Sequence, residues 1–266
     1  MAEPTVRELR KGEGRVDSRL VYDGIAELDR RHGYRAESLS AAELRVFSQN
    51  GEDGVLAEIF DRIGPGARTF VEFGGEDGLE GNTRFLREVL GWRGAYIEAD
   101  PDQHQRLTAR LDPQTCTALC SMVTPANIEA LLDQAGVPEA FDLLSIDIDG
   151  QDYYVWKAIE RFRPRVVVIE YNAGIEPGRA LVEPPGKAPW DRTDYFGASI
   201  EALTELGLVK GYQLVHADLA GINAFFVADE CAAPFADITP LRRAPGYELR
   251  GLRHPPDPSG RAFVEW

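Results

Sequence analysis

The sequence of 266 residues contains few cysteines, and none of them belongs to a CxxC pair. The three cysteines, Cys116, Cys120 and Cys231, are an odd number in a chain long enough to bury a core without covalent crosslinks. Small secreted proteins depend on cysteine-rich frameworks, and structural zinc sites use closely spaced cysteine pairs. We therefore expect neither a disulfide framework nor a structural zinc site, and we expect a reducing, cytoplasmic location.

Long apolar stretches and excess positive charge are also missing. No run of about 18 apolar residues occurs, so we expect no membrane-spanning helix. The N-terminal sequence MAEPTVRELRKGEGR lacks the apolar segment of a secretory signal. The chain has 29 lysines and arginines against 44 acidic residues, a formal net charge of −15. Because binding to phosphate needs clustered basic residues, we predict that the protein binds neither nucleic acid nor an anionic membrane.

The sequence does contain a regular alternation of short apolar runs and helical patterns. This alternation predicts a mostly parallel sheet covered by helices on both faces, a doubly wound α/β fold. Two later runs are separated by only six residues, which favours an antiparallel hairpin at the end of the sheet. The expected strands are Thr69–Phe73, Ala95–Glu98, Cys116–Met122, Phe141–Asp147, Arg165–Tyr171, Tyr212–His216 and Asn223–Ala228.

The same pattern divides the chain into three parts. We predict an N-terminal helical cap over residues 1–45, a central domain over residues 46–230 and a tail over residues 231–266, rich in proline and arginine, that packs on the domain. Residues 173–195 interrupt the alternation with prolines and glycines directly after a strand. Ligands bind beyond the carboxyl ends of the strands in α/β folds, so we predict that this segment is a lid.

The strongest local signal is the segment TFVEFGGEDGLEGN, in which a strand enters a glycine-rich turn. Gly74 and Gly78 allow the backbone to curve tightly and to approach a ligand. The dinucleotide fingerprint G-x-G-x-x-G is absent, and Glu76 would repel a pyrophosphate at the following helix N-terminus. Together with Glu72, this acidic loop suits a cationic or zwitterionic ligand such as S-adenosylmethionine (SAM). A glycine-rich surface turn is the alternative interpretation.

Other candidate cofactor residues surround this loop. Glu98 ends the second strand, where a carboxylate can accept hydrogen bonds from both hydroxyls of a ribose, as in NAD and SAM enzymes alike. In the motif SQNGEDG, Gln49 and Asp53 would lie near the amino-acid end of the cofactor, although capping of the following helix is an equally simple role. Asn82 and Ser121 complete the predicted cofactor-binding set.

Acidic side chains also cluster after the fourth and fifth strands. Crowded carboxylates repel each other unless a cation, a proton or a hydrogen bond compensates their charge. Oxygen ligands from two neighbouring strand ends could hold Mg²⁺, and Asp147, Glu170 and Asn172 form the predicted metal set. The alternative is that the carboxylates cap a helix and bind substrate separately. The candidate catalytic residues are Asp147, Asp149 and His216: Asp147 would bind the metal or orient the acceptor, and Asp149 or His216 would be the general base.

Taken together, the motifs of residues 47–228 resemble the class I, Rossmann-like SAM-dependent methyltransferases, and within them the FkbM-like family. The motifs are SQNGEDG, FVEFGGEDGLEGN, AYIEADP, DLLSIDIDGQDYYVW, VVVIEYN and NAFFV. The resemblance implies that Glu72, Gly74 and Gly78 hold the methionine part of SAM and that Glu98 holds its ribose. The Asp-x-Glu-Gly of the family reads Asp147-Ile148-Asp149-Gly150 here.

The two strand ends at Asp147 and Glu170 are also similar to the metal site of Mg²⁺-dependent O-methyltransferases. Those enzymes have adjacent Asp-Asn where this chain has Glu170-Tyr171-Asn172. The resemblance therefore implies SAM as the cofactor of an O-methyltransferase, and it leaves Mg²⁺ open as a second cofactor. The expected acceptor is the hydroxyl of a small polar molecule such as a sugar, a sugar-derived metabolite or a natural product. The oligomeric state is left open, with a homodimer as the candidate. A nicotinamide-dependent oxidoreductase, a non-catalytic binding scaffold and N-methylation are the open alternatives.

Overall fold

The structure is a computed structural model that describes residues 39–186, 190–238 and 254–265. Most of the predicted N-terminal cap and residues 239–253 of the predicted tail lie outside the described residues. The strands are β1 Thr69–Phe73, β2 Arg93–Glu98, β3 Cys116–Cys120, β4 Ala140–Ile146, β5 Arg163–Glu170, β6 Leu181–Val182, β7 Tyr212–Ala217, β8 Asn223–Ala228 and β9 Val264–Glu265. The α-helices are α1 Glu52–Ile63, α2 Arg84–Glu88, α3 Pro101–Thr108, α4 Ile128–Gln134, α5 Asp152–Ala158 and α6 Ile200–Lys210. Short 3₁₀ helices occupy Leu39–Ala42, Asp229–Cys231 and Ala233–Phe235.

Seven of the strands form one sheet in the order β3-β2-β1-β4-β5-β8-β7. Strands β1 to β5 are parallel, whereas β8 pairs antiparallel with both β5 and β7. The predicted mostly parallel, doubly wound sheet with a C-terminal antiparallel hairpin is confirmed. The second strand of the hairpin, β8, lies next to β5 and pairs with it, and the first strand, β7, forms the edge of the sheet.

Both faces of the sheet are buried, which explains why β5 reads as an unbroken apolar run. Val166 and Val168 pack with residues of α1, α2 and α3 on one face. Val167 and Ile169 pack with residues of α4, α5 and α6 on the other. Successive side chains of a strand point to opposite faces, so one run of valines and isoleucine supplies both cores. We refer to the face under α1, α2 and α3 as the front face.

The segment predicted as a lid has some secondary structure of its own. Within it, β6 pairs antiparallel with β9 from the C-terminal residues. The backbone N–H of Asp194 donates to the carbonyl of Pro255, and the hydroxyl of Tyr195 donates to the carbonyl of Ala262. Residues 254–265 therefore lie against this segment. Among the described residues, no helix has both the length and the apolar character needed to cross a bilayer.

Candidate functional site

Polar side chains replace apolar ones on the front face where the central strands reach their carboxyl ends. In the register of the sheet, Glu72 of β1 lies opposite Ser145 of β4, and Glu170 of β5 lies opposite Asn223 of β8. Each of these positions continues the alternation that places Val166 and Val168 on the front face. On β2, Tyr96 lies on the front face, and Glu98, two residues further along the strand, lies on the same face. We call Glu98, Glu72, Ser145, Glu170 and Asn223 the polar row.

The glycine-rich loop begins directly beyond β1 and packs against the end of β4. Gly74 has a φ of 70°, in the left-handed region that favours glycine. A Cβ atom on Gly74 would lie 1.8 Å from the carbonyl oxygen of Asp147. The N–H of Gly74 also donates to the carbonyl of Ile97 on β2 at 3.1 Å. The glycine thus lets the loop contact the ends of two other strands at once.

Glu98 joins the end of β2 to this loop. One carboxylate oxygen accepts the N–H of Glu76 at 2.9 Å, and the other accepts the N–H of Asp100 at 2.8 Å. Burial raises the pKa of Glu98, and these backbone donors oppose that rise. A carboxylate has about four acceptor sites, so Glu98 keeps capacity for two further donors. Ser121 lies beside it, because its N–H donates to the Glu98 carbonyl at 3.0 Å.

Glu72 is buried and already has internal partners. Its carboxylate accepts the N–H of Asn82 at 2.8 Å and the hydroxyl of Thr83 at 2.5 Å. The same hydroxyl lies 2.9 Å from the hydroxyl of Tyr96, and the Asn82 amide donates to Ser145 at 3.1 Å. Burial raises the pKa of Glu72. Glu72 and Asn82, both predicted to bind the cofactor, therefore also join the far end of the glycine-rich loop to the sheet.

Replacement of Thr83 by valine should destabilise the protein markedly. The variant Thr83→Val keeps the shape of the side chain but removes a hydroxyl donor from the buried Glu72 carboxylate. A hydrogen bond to a charged group contributes about 1.5–3 kcal/mol, so we expect a loss of about 2 kcal/mol in the free energy of unfolding, measured by urea denaturation. Thr108→Val, which alters an exposed threonine on α3, is the control and should change stability by less than about 0.5 kcal/mol. Equal losses for the two variants would contradict this role of Thr83.

The SQNGEDG motif folds into a turn that is built around Asp53. One Asp53 oxygen accepts the backbone N–H groups of Val46, Phe47 and Ser48, while the Ser48 hydroxyl accepts the N–H of Asp53. Burial raises the pKa of Asp53 to about 6. The other carboxylate oxygen is buried and has no hydrogen-bond partner among the described residues. Asp53 therefore lies inside α1 and holds the preceding turn, while the N-cap position of the helix is Gly51, which makes no side-chain capping bond. Gln49 lies partly buried in the same turn.

The turn after β4 is organised by a carboxylate outside the predicted site set. Asp152 accepts the backbone N–H groups of Ile148 and Gly150, each at 2.9 Å. Burial raises the pKa of Asp152 to about 6. Asp149 has a φ of 57°, in the left-handed region, and is exposed at the tip of the turn. Of Asp147, Asp149 and Asp152, it is therefore Asp152 that stabilises the turn through hydrogen bonds to its backbone.

Asp147 and Glu170 are the two carboxylates of this edge that have no hydrogen bond or ion pair within the described residues. Both side chains are partly buried. Burial and the charge of neighbouring carboxylates raise the pKa of each group well above its ordinary value, and Asp147 is among the neighbours that raise the pKa of Glu170. Burial and mutual repulsion both favour the neutral, protonated forms of these two groups.

Asn172 does not fit the predicted metal set. Its amide nitrogen donates to the carbonyls of Asp194 and Phe196, each at 2.9 Å, and its oxygen accepts the N–H of Gly174 at 2.9 Å. The side chain therefore closes the segment predicted as a lid. In the described part of the chain, no three histidine, cysteine or acidic side chains are grouped as metal ligands. The set Asp147, Glu170 and Asn172 stays a prediction, and its third member already has backbone partners.

His216 belongs to a different set of contacts. Its Nε2 atom lies 2.8 Å from a carboxylate oxygen of Glu43, and its ring packs against Phe225. Glu43 also accepts the N–H of Leu219 at 3.0 Å. These contacts join the β7–β8 hairpin to the residues before α1. Of the three predicted catalytic residues, Asp147 and Asp149 therefore lie directly after β4, and His216 is held at the hairpin.

The structure adds one residue to the site that the sequence reasoning missed. Asn223 is 3% exposed and lies opposite Glu170 in the polar row. Its amide nitrogen donates to Glu52 at 2.9 Å, while its amide oxygen is buried without a hydrogen-bond partner in the described residues. A polar residue at the start of the otherwise apolar run NAFFVA is the signal that marks this position in the sequence.

No protein-family model matches the chain, and no curated protein matches it. Among solved structures it is similar to magnesium protoporphyrin IX methyltransferase from Synechocystis with bound SAM, at 9% identity, over 83% of this chain and 89% of that one, with a TM-score of 0.44. A SAM-dependent methyltransferase from Aquifex aeolicus matches at 12% identity over 76% and 96% of the two chains, with a TM-score of 0.40. An O-methyltransferase from Bacillus cereus in complex with SAH matches at 18% identity over 63% and 72%, with a TM-score of 0.37. Since each TM-score is below 0.5, the proposals below stand on this chain's own residues.

Proposed function

We propose that the protein is a SAM-dependent O-methyltransferase that acts on a hydroxyl group of a small polar acceptor. The observation that carries the proposal is the contact between Glu98 and the glycine-rich loop at the carboxyl ends of the parallel strands. The loop and the Glu98 carboxylate lie on adjacent strands, where ligands of doubly wound folds bind. This placement supports a nucleoside ligand whose ribose hydroxyls donate to Glu98.

The charge of the loop favours SAM over a dinucleotide. Glu76 has a φ of 45° and stands where the dinucleotide fingerprint has a glycine that approaches a pyrophosphate. Glu72, Glu76 and Asp147 are close enough that the first two raise the pKa of Asp147. This surplus of negative charge suits the ammonium and sulfonium groups of SAM and opposes a diphosphate. When bound, SAM supplies an electrophilic methyl group on its sulfonium.

Asp147 is the residue best suited to act as the general base. Methyl transfer to a hydroxyl needs positioning of the acceptor and removal of its proton. Within the described residues Asp147 has no hydrogen bond that would compete for the proton, and its raised pKa makes it a stronger base than an ordinary aspartate. Asp149, exposed on the same turn, is the second candidate. An FkbM-like enzyme is the finer form of this proposal, supported by the motifs of the sequence alone.

Calorimetric titration with S-adenosylhomocysteine (SAH) and with NADH tests the cofactor class. We expect micromolar binding of SAH and no binding of NADH, both in buffer with Mg²⁺ and in buffer with EDTA, because the polar row offers carboxylates rather than phosphate ligands. Binding of NADH alone would replace the proposal by a nicotinamide-dependent oxidoreductase. Binding of neither ligand to a folded sample would favour a non-catalytic scaffold. Binding of SAH only with Mg²⁺ would restore a role for the metal.

A further inference from the structure

We infer that Glu170 and Asn223 form a binding site for a protonated amino group of the acceptor, so that the substrate is a hydroxyl compound that also carries an ammonium. This inference rests on the proposed function and specifies its substrate class. The two residues lie directly opposite each other on β5 and β8 in the polar row. Side chains at such paired positions have Cβ atoms about 4.5–5.5 Å apart, a spacing that lets both contact one small group.

The Asn223 side chain fixes the direction of its unused oxygen. Because its amide nitrogen donates to Glu52 at 2.9 Å, the amide oxygen points the other way. That oxygen is buried and has no hydrogen-bond partner among the described residues, although burial of an unpaired acceptor is costly. Glu52 is in turn held by Asn50, whose backbone N–H donates to it at 2.7 Å. The Asn223 amide oxygen is therefore held in a fixed position, where it can accept a hydrogen bond from a ligand.

Glu170 supplies the charge. Its carboxylate has no hydrogen bond or ion pair within residues 39–186, 190–238 and 254–265, and the neighbouring charges with the largest effect on it are acidic. These neighbours are Asp147, Asp149, Asp152 and Glu183. A carboxylate among carboxylates is stabilised by a cation, which also suppresses the rise of its pKa.

The side chains of Glu170 and Asn223 favour an ammonium group over a neutral hydroxyl and over a magnesium ion. Carboxylate and amide oxygens only accept hydrogen bonds here, and an ammonium offers three donors together with a positive charge. A neutral hydroxyl offers one donor and leaves the charge uncompensated. A magnesium ion needs six oxygen ligands in near-octahedral geometry, and Asn172, the third predicted ligand, is bound to backbone groups elsewhere. Asp147 then stays available as the base for a hydroxyl close to the ammonium.

Thermal unfolding of the SAH-saturated protein in the presence of three sugars tests this inference. Glucosamine, glucose and N-acetylglucosamine share the hydroxyls at C1, C3, C4 and C6 and differ at C2, where only glucosamine carries an ammonium near neutral pH. We expect glucosamine to raise the midpoint of unfolding in a concentration-dependent manner, and we expect the two neutral sugars to have no comparable effect. Equal shifts with all three sugars, or no shift with glucosamine, would overturn the inference. Stabilisation by Mg²⁺ at the same residues would also overturn it in favour of a metal site.

Two variants locate the effect. In Glu170→Gln the shape is kept and the charge is lost, so the apparent dissociation constant for glucosamine should rise about tenfold or more, equivalent to about 1.4 kcal/mol. Glu160→Gln makes the same chemical change at an exposed position before β5, at the opposite end of the strand from Glu170, and should leave that constant unchanged. Equal constants for both variants would place glucosamine elsewhere and overturn the inference. The sugar comparison on the unaltered protein remains decisive if Glu170→Gln does not fold.

SAH binding separates this inference from the function on which it depends. If the unaltered protein binds SAH by calorimetry but does not distinguish glucosamine from glucose, the amino-group site is wrong and the methyltransferase proposal stands. If SAH does not bind, the proposed function fails first. Glu170→Gln should bind SAH as the unaltered protein does, because Glu170 is separated from Glu98 by the intervening strands β1 and β4.

Discussion

Gly74→Ala should abolish SAH binding and destabilise the protein by more than about 4 kcal/mol, a loss in the range that single substitutions seldom reach. Two effects combine at this position. A non-glycine residue in the left-handed region costs roughly 1–2 kcal/mol, and the new methyl group would stand 1.8 Å from the carbonyl oxygen of Asp147. That oxygen belongs to the backbone at the end of β4, so relief of the overlap must displace either the glycine-rich loop or the turn that carries the proposed base.

Gly91→Ala is the matched control for this experiment. Gly91 has a φ of 68°, almost the same as that of Gly74, but a Cβ atom there would meet nothing within 4 Å. The control therefore carries the backbone cost alone, and we expect a loss of about 1–2 kcal/mol with unchanged SAH affinity. Urea denaturation and calorimetry on both variants give the difference that belongs to the contact with Asp147. Similar losses for both glycines would show that the close approach at Gly74 is unimportant.

Much of the fold follows from residue patterns that the sequence displays openly. The run TFVEF coincides with β1 and the run NAFFVA with β8, because both are short, mostly apolar runs bounded by polar or glycine-rich turns. The pairing of these strands is less visible in the sequence. The predicted hairpin gives no sign of which of its strands lies beside β5, and only the observed order places Asn223 opposite Glu170. The most informative contact of the site is therefore a consequence of topology.

The roles of individual polar residues were harder to predict than their positions. Glu170 and Asn172 both follow the same strand, yet the Asn172 amide is bound to the carbonyls of residues 194 and 196. His216 meets Glu43, which lies 173 positions away in the sequence. Spacing along the chain indicates which side chains reach one edge of the sheet, but it carries no information on which of their hydrogen-bonding atoms are already used. That information decides between a ligand site and a structural contact, as at Asp152.

Glu98→Gln should weaken SAH binding about a hundredfold while leaving the fold intact. The carboxylate already accepts the N–H groups of Glu76 and Asp100, and its remaining capacity is proposed to accept two ribose hydroxyls. Hydrogen bonds to a charged acceptor contribute about 1.5–3 kcal/mol each, and each 1.4 kcal/mol is a factor of ten in affinity. The glutamine amide replaces one accepting oxygen by an NH₂ donor, which cannot accept a hydrogen bond from a backbone N–H group or from a ribose hydroxyl. Calorimetric titration with SAH measures the loss.

A loss of affinity in Glu98→Gln could arise through the glycine-rich loop instead of through the ribose, and a modified ligand separates the two. A 2′,3′-dideoxy analogue of SAH lacks the hydroxyls that Glu98 is proposed to accept. If Glu98 binds the ribose, the analogue should bind the unaltered protein and the variant with similar, weak affinity. If the variant weakens SAH and the analogue by the same factor, Glu98 acts only by shaping the loop. Asp102→Asn, an exposed change on α3, should leave both affinities unchanged. Unchanged SAH affinity in Glu98→Gln would show that Glu98 does not bind the cofactor and would contradict the proposed cofactor site. A loss of affinity for SAH but not for the dideoxy analogue would place the ribose at Glu98, at the end of β2.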